Sequence, residues 1–261
     1  MRIDAHTHVW PDTIASRALS GAALDMPAVG DGTTAGLDQA LSEAGIDIGV
    51  CLAVANTPDR VETANAYAAQ LNKRHNTMGF GTIHAGLDTL QSLDSLRRHG
   101  LVGAKLHPLF QDYRLDDPRL LETLDAISDE FVVIAHVGSG RGSGSGERCT
   151  PPMLRRLIRQ LPKLRLVACH FGGFRELEQA AELIIGESVY LDTSWPPSLA
   201  TLDGDRISSL IRRHGVERVV FASDWPMASP AREVEAIERL GLGQAATDMI
   251  LGENFHALLE G

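Results

Sequence analysis

The chain has 261 residues, 44% of them hydrophobic and 22% charged, an ordinary globular composition with enough length for a large core. A net charge of −10 without any basic tract speaks against a nucleic-acid backbone as partner, and no apolar run approaches the roughly 20 residues of a membrane span. The first residues lack a signal-peptide pattern, and three scattered cysteines, Cys51, Cys149 and Cys169, form neither a disulfide framework nor a zinc knuckle, so a cytoplasmic protein in a reducing compartment is expected.

Eight segments read as strands: 2–9, 49–54, 78–85, 102–108, 131–138, 165–172, 189–195 and 218–226. Several are near-continuous apolar runs, among them VVIAH, LRLVACH and RVVFAS, which suit parallel strands buried on both faces. Helical patterns separate them. Thr57-Pro58, Asp117-Pro118, Thr150-Pro151 and Ser229-Pro230 each place a capping side chain before a proline at the first helical position. Leu154, Leu157, Ile158 and Leu161 form one apolar stripe, with Arg155, Arg156 and Arg159 on other faces. Two helices end alike, Arg97-Arg98-His99-Gly100 and Arg212-Arg213-His214-Gly215, with basic residues favouring the helix dipole and a glycine for the left-handed cap.

Strand and helix alternating eight times in this length specify a single (β/α)8 TIM barrel over residues 1–261. No Gly-x-Gly-x-x-Gly turn follows the first strand, which weakens a dinucleotide-binding alternative. The barrel is elaborated at its first strand-to-helix connection, from Trp10 to about Thr34, and ends in a C-terminal helical tail. A second unusual connection is the glycine-serine stretch 138–146. Both connections follow strands and are candidates for mobile lids, or else plain surface slack.

The ten histidines divide by position. His75, His99, His214 and His256 sit at helix ends or in the tail, where solvation or capping explains them. His6, His8, His84, His107, His136 and His170 lie near the C-terminal ends of strands, as do Asp224 and Lys105. Barrel enzymes build their sites at that end. Side chains alternate along a strand, so His6 and His8 share a face. Neutral imidazole with carboxylate suits zinc and other first-row divalent ions. His6, His8, His136 and Asp224 would supply three nitrogens and one oxygen from the first, fifth and eighth strands, which only a closed barrel brings together. Asp192 reads either as a residue that orients a ligand or as a strand-end cap. Cys169 should face away from His170 and belongs to the core.

The motifs DAHTH at 4–8, GAKLHP at 103–108, IAHVG at 134–138, VACHFGG at 167–173, LDTS at 191–194, FASDWP at 221–226 and ILGENFHALL at 250–259 resemble, in order and over nearly the whole chain, the amidohydrolase superfamily. Within it the resemblance is to the amidohydrolase-2 group, which holds small metal-dependent hydrolases and the aminocarboxymuconate-semialdehyde decarboxylase type. The resemblance implies His6, His8 and His136 as metal histidines. It implies Asp224 as a metal-bound carboxylate that also handles the proton of the attacking water. His170 becomes either a ligand of a second metal or a catalytic histidine beside one. Lys105 matches a position that in some relatives carries a bridging carbamate. A substrate-carboxylate contact and an inward lysine paired with a carboxylate remain equal readings of it. His107, Arg148 and Trp195 are candidates for substrate contact, with hydrogen-bonding to neighbours, surface solvation and core capping as their plainer readings.

The expected cofactor is a divalent metal, Zn2+ first, one or two ions per chain, with Mn2+ or Fe2+ as alternatives. The expected reaction is hydrolysis of a small-molecule amide, ester or lactone, with Asp224 and His170 catalytic. The runner-up is a metal-dependent decarboxylase of an unsaturated or aromatic acid. The shortness of the chain, which leaves little room for rim insertions, tilts the choice towards hydrolysis. A barrel that kept only binding would show a lost ligand position, and none is lost. A homo-oligomer would be unsurprising, though no exposed stripe marks an interface.

Overall fold

The computed structural model describes residues 1–20, 26–140 and 147–261. Eight parallel strands pair in chain order: β1 (Ile3–Thr7), β2 (Ile48–Leu52), β3 (Thr77–Thr82), β4 (Gly103–Leu106), β5 (Val132–Ala135), β6 (Leu166–Ala168), β7 (Tyr190–Asp192) and β8 (Val219–Val220). The Ala5 N–H donates to Phe221 O at 2.9 Å and the Asp224 N–H to His6 O at 2.8 Å. The last strand thus bonds back to the first, and the sheet is that of a (β/α)8 barrel. All residues of β1, β4 and β5 are buried, as expected of parallel strands covered on both faces. Among the described residues no helix is long and apolar enough to cross a membrane.

The strands are shorter than their apolar runs suggest, and the shortfall lies mainly at their C-terminal ends. After β6 the backbone turns left-handed at His170 (φ 59°) and Phe171 (φ 53°), and after β8 at Asp224 (φ 61°). Residues past β8 also take other partners: Phe221 N–H donates to Ile250 O at 2.8 Å and Ala222 N–H to Thr193 Oγ1 at 3.0 Å. Regular strand alternation therefore stops before His170 and Asp224.

The helix starts stand where proline places them, at Pro58, Pro118, Pro151 and Pro230. Only Asp117 of the four capping residues accepts a backbone N–H, that of Arg119 at 2.9 Å. Gly100 takes the left-handed cap (φ 62°), whereas Gly215 (φ 105°, ψ 116°) has a positive φ outside the left-handed helical region. His214 departs from the sequence reading: it is fully buried. It continues the inward stripe of Ile207, Leu210 and Ile211 on its helix Gly204–His214, at the spacing of one helix face. The first connection holds a helix of its own, Asp12–Leu19. The parts of the two proposed lids at 21–25 and 141–146 lie outside the described residues. The tail is helical throughout, with α-helices Gln244–Asp248 and Asn254–Glu260 joined by a π-helical turn, Met249–Glu253.

The chain divides into two compact units. The first comprises Met1–Cys51, Arg74–Met78 and Asp192–Gly261. Here Gly49 of β2 lets Leu37 and Leu41 of helix Thr34–Ala44 lie directly against the strand. The second comprises Leu52–Lys73 and Gly79–Leu191. Its core packs Leu96, Leu106, Leu124, Val133, Leu154, Leu157 and Leu191 around the strands. A side chain at Gly79 would overlap the carbonyl of Ala68, so glycine there sets how closely helix Val61–Leu71 approaches β3.

One acid is buried in the first unit away from any strand end. Glu233 accepts the Leu199 N–H at 2.8 Å through Oε2 while Oε1 is buried without a hydrogen-bond partner. Burial raises its pKa above 4.5. A carboxyl whose folded pKa is raised stabilises the fold fully below its unfolded pKa and loses that contribution as pH rises through the folded value. Glu233→Gln should therefore raise the melting temperature near neutral pH, and its advantage should shrink as pH falls towards about 4.5. Thermal melts of both proteins across that range check this.

Candidate active site

In the first unit three donor atoms converge. His6 Nε2 stands 3.1 Å from His8 Nε2 and 3.3 Å from Asp224 Oδ1, and His8 Nε2 is 3.5 Å from the same oxygen. His6 and His8 share a face as the strand pattern predicts. Asp224 reaches them because its backbone is left-handed. Its N–H donates to His6 O and its carbonyl accepts the Met227 N–H, both at 2.8 Å.

The tautomer of His6 follows from its other nitrogen. Nδ1 lies 2.9 Å from Asp192 Oδ2, and a carboxylate only accepts, so Nδ1 carries the proton and Nε2 presents a lone pair. Asp192 is itself held, since its Oδ1 accepts the Ser194 N–H at 3.1 Å and the Ser194 hydroxyl at 2.6 Å. This resolves the two readings of Asp192: it orients His6. A carboxylate behind a histidine is the usual support of a metal ligand.

Two imidazole nitrogens and a carboxylate oxygen facing one point are mutually repulsive unless a proton or cation sits among them. Donors about 2.0–2.2 Å from one ion in a tetrahedral site stand roughly 3.3–3.6 Å apart. The separations of 3.1, 3.3 and 3.5 Å fit a divalent ion. His6, His8 and Asp224 are also one of the groupings in the described residues able to hold one.

Behind this set lies Asp4, fully buried, with its pKa raised to about 7 by desolvation, against which hydrogen bonds from Ser223 and the His6 N–H pull it down. Trp195 and Trp225 are both buried, and a side chain at Gly30 would overlap the Trp225 indole. Trp10 stacks near His8, ring centres 6.2 Å apart.

The second unit holds a stack of rings. Phe110, His107 and His136 lie face to face, with centroid separations of 4.0 and 4.2 Å. His170 meets His136 edge-on, and His170 Nε2 lies 3.0 Å from His136 Nδ1. Lys105 is fully buried and donates through Nζ to Cys169 Sγ at 3.2 Å. Cys169 itself is still extended and wholly buried, and the left-handed turn falls on the next residue, His170.

His84 stays apart from the stack. Its Nδ1 accepts the Gly86 N–H at 2.9 Å, its ring packs edge-on against Tyr113, and burial lowers its pKa. Arg148 is held in an ion pair with Asp112 at 2.6 Å. Sequence reasoning missed Gln111. Its amide donates to Ile83 O at 2.8 Å and Ala55 O at 3.1 Å and accepts the His107 N–H at 2.8 Å and the Tyr113 hydroxyl at 2.6 Å. It ties the ends of β2, β3 and β4 together. No local pattern in HPLFQDY marks it.

A family profile described as amidohydrolase matches residues 3–260, and the chain belongs to that family. It is an enzyme of the amidohydrolase type. Comparison with curated protein sequences finds no match. Among solved structures, an uncharacterized TIM-barrel protein of Bordetella bronchiseptica is 17% identical, with 99% of this chain and 98% of that one covered at a TM-score of 0.73. A probable 2-pyrone-4,6-dicarboxylic acid hydrolase of Acinetobacter baumannii, with citric acid bound, is 18% identical over 100% and 99% of the two chains at 0.70. A dihydroxybenzoic acid decarboxylase of Polaromonas sp. JS666, with bound manganese and 2-nitroresorcinol, is 15% identical over 99% and 96% at 0.72. These likenesses carry the barrel fold.

Asp192→Asn keeps the size of the group but lets an amide N–H face His6 Nδ1, which moves the imidazole proton to Nε2. Zn2+ affinity should fall about 10- to 100-fold while the far-UV circular dichroism stays that of the parent. Competition against a chromophoric chelator measures the affinity.

Proposed function

We propose that this chain is a metal-dependent hydrolase of a small-molecule amide, ester or lactone. The observation that carries the reading is the convergence of His6 Nε2, His8 Nε2 and Asp224 Oδ1 with the His6 proton held on the far nitrogen by Asp192. A divalent ion, Zn2+ first and Mn2+ or Fe2+ as alternatives, held by these three residues and His136, would bring the pKa of water from 15.7 to about 7 and polarise a carbonyl. Asp224 takes the proton of the attacking water and returns it to the leaving group. Its side chain is 14% exposed, so a substrate-side proton can reach it. His170 steadies the oxygen on which charge develops. Lys105 and His107 contact the substrate, with Trp195 lining its place. Arg148 joins them only by leaving Asp112. The proposal includes a cytoplasmic location and a homo-oligomer.

Decarboxylation is the second reading, and one observation favours it. The alignment with the Polaromonas decarboxylase covers 96% of that chain. Chain length, which tilts the sequence reading towards hydrolysis, therefore loses its force. The same side chains would serve: an ion held by them would bind the acid's carboxylate, and His170 or Asp224 in its protonated form would give a proton to the ring carbon as the bond from that carbon to the carboxylate breaks and carbon dioxide leaves.

Chelation should abolish turnover, and Zn2+ or Mn2+ should restore it. His6→Ala, His8→Ala and Asp224→Ala should each lower kcat by ~100-fold or more. A panel of esters, lactones and amides, run beside carboxylated aromatic acids with carbon dioxide release as readout, separates the readings. Carbon dioxide without hydrolysis moves the protein to the lyases. Undiminished turnover in the three variants would overturn both assignments.

A further inference from the structure

The first residue of DAHTH is not among the groupings of described residues that could hold an ion, yet it is the acid around which the donors are arranged. Asp4 Oδ1 accepts the His6 N–H at 3.2 Å and the Ser223 N–H at 3.0 Å, and Oδ2 accepts the Ser223 hydroxyl at 2.5 Å. Ser223 Oγ in turn accepts the Trp225 N–H at 3.0 Å. The network thus holds the residues on either side of Asp224 and the backbone of His6 at once.

We propose that Asp4 and Ser223 are a positioning pair that sets the distance between His6 and Asp224. The inference rests on the metal-centre reading above.

Three features lead to it. Asp224 sits in a left-handed conformation, which a non-glycine residue keeps only where its surroundings impose it. The imposing bonds run from the Ser223 N–H before it to Asp4, from the Trp225 N–H after it to Ser223 Oγ, and from the Asp224 N–H to His6 O. Second, Asp4 and Ser223 are both wholly buried. A buried carboxylate is a poor way to gain stability, since an apolar residue of similar size avoids its desolvation. It is, however, a group that can accept three donors from two strands together. Third, Asp4 and His6 are two residues apart on β1 and share its face, so any shift of the carboxyl is passed to the ring beside it.

A purely structural pair would lower stability and leave metal binding alone. A positioning pair would change the metal site in a protein that still folds. Ser223→Ala removes the hydroxyl that links Asp4 to the Trp225 N–H, and Asp4→Asn weakens the acceptor. Leu37→Ala is the control, a buried apolar residue of the same unit away from the donors. Affinity for Zn2+ would be read by chelator competition and donor geometry by the visible spectrum of the Co2+-loaded protein. Both Ser223→Ala and Asp4→Asn should lose about 10-fold or more in Zn2+ affinity and show a shifted Co2+ band. Leu37→Ala should melt at lower temperature with wild-type affinity and spectrum. Wild-type affinity and spectrum in Ser223→Ala and Asp4→Asn would overturn the positioning role and leave the metal centre standing. If Asp4→Asn does not fold, Ser223→Ala decides. If the unmodified protein takes up neither Zn2+ nor Co2+, the metal centre itself falls, and the pair's role with it.

Discussion

The hydrogen bond from His6 Nδ1 to Asp192 is the constraint on which the centre depends. Without it, either nitrogen of His6 could carry the proton, and in one tautomer Nε2 would point an N–H at His8 and Asp224. With it, the lone pair faces inward and three electron-rich atoms are held within 3.5 Å of one another. That arrangement is favourable only with a proton or a cation among the three. The fold builds the repulsion in, and a ligand of positive charge relieves it.

Building it in takes rigid supports. Asp192 is clamped by the hydroxyl and N–H of Ser194, and Asp224 is fixed by backbone bonds to β1. Left-handed backbone at a residue such as Asp224 or His170 costs about 1–3 kcal/mol, and both residues lie just past the ends of their strands at Val220 and Ala168. Strand ends that turn this way re-aim a side chain that a regular strand would send along the alternating pattern. The strain and the chemistry coincide because the same turn produces both.

The buried polar groups of each unit are also poor contributors to stability. Asp4, Asp192, Lys105 and His170 are nearly or wholly inaccessible, and burying charge costs more than burying apolar surface of the same size. The leucine, isoleucine and valine packing of the two units offsets that cost. In the second unit Gln111 shows how a buried polar group is made tolerable: its amide meets acceptors on two strand ends while its carbonyl receives two donors, and the clasp holds the strand ends beside His107.

Much of this was written in the sequence. Parallel strands covered on both faces read as apolar runs, so all eight were visible. A proline after a capping residue marked helix starts, and His6 and His8 two apart had to share a face. Strand-end position also grouped Asp224 with the histidines. What periodicity could not supply was the orientation of any residue past the last ladder bond. His170 was re-aimed by its left-handed backbone, and His84 turned into its own turn, for that reason. Nor could the supports be read. His6 and Asp192 are 186 residues apart, and Asp4 and Ser223 are 219 apart. A single residue at such separation leaves no local pattern. The sequence by itself determined the barrel and the donor types at its strand ends. Only the tertiary structure decided which carboxylates stand behind His6 and Asp224 and hold them, because that depends on how the last strands close against the first.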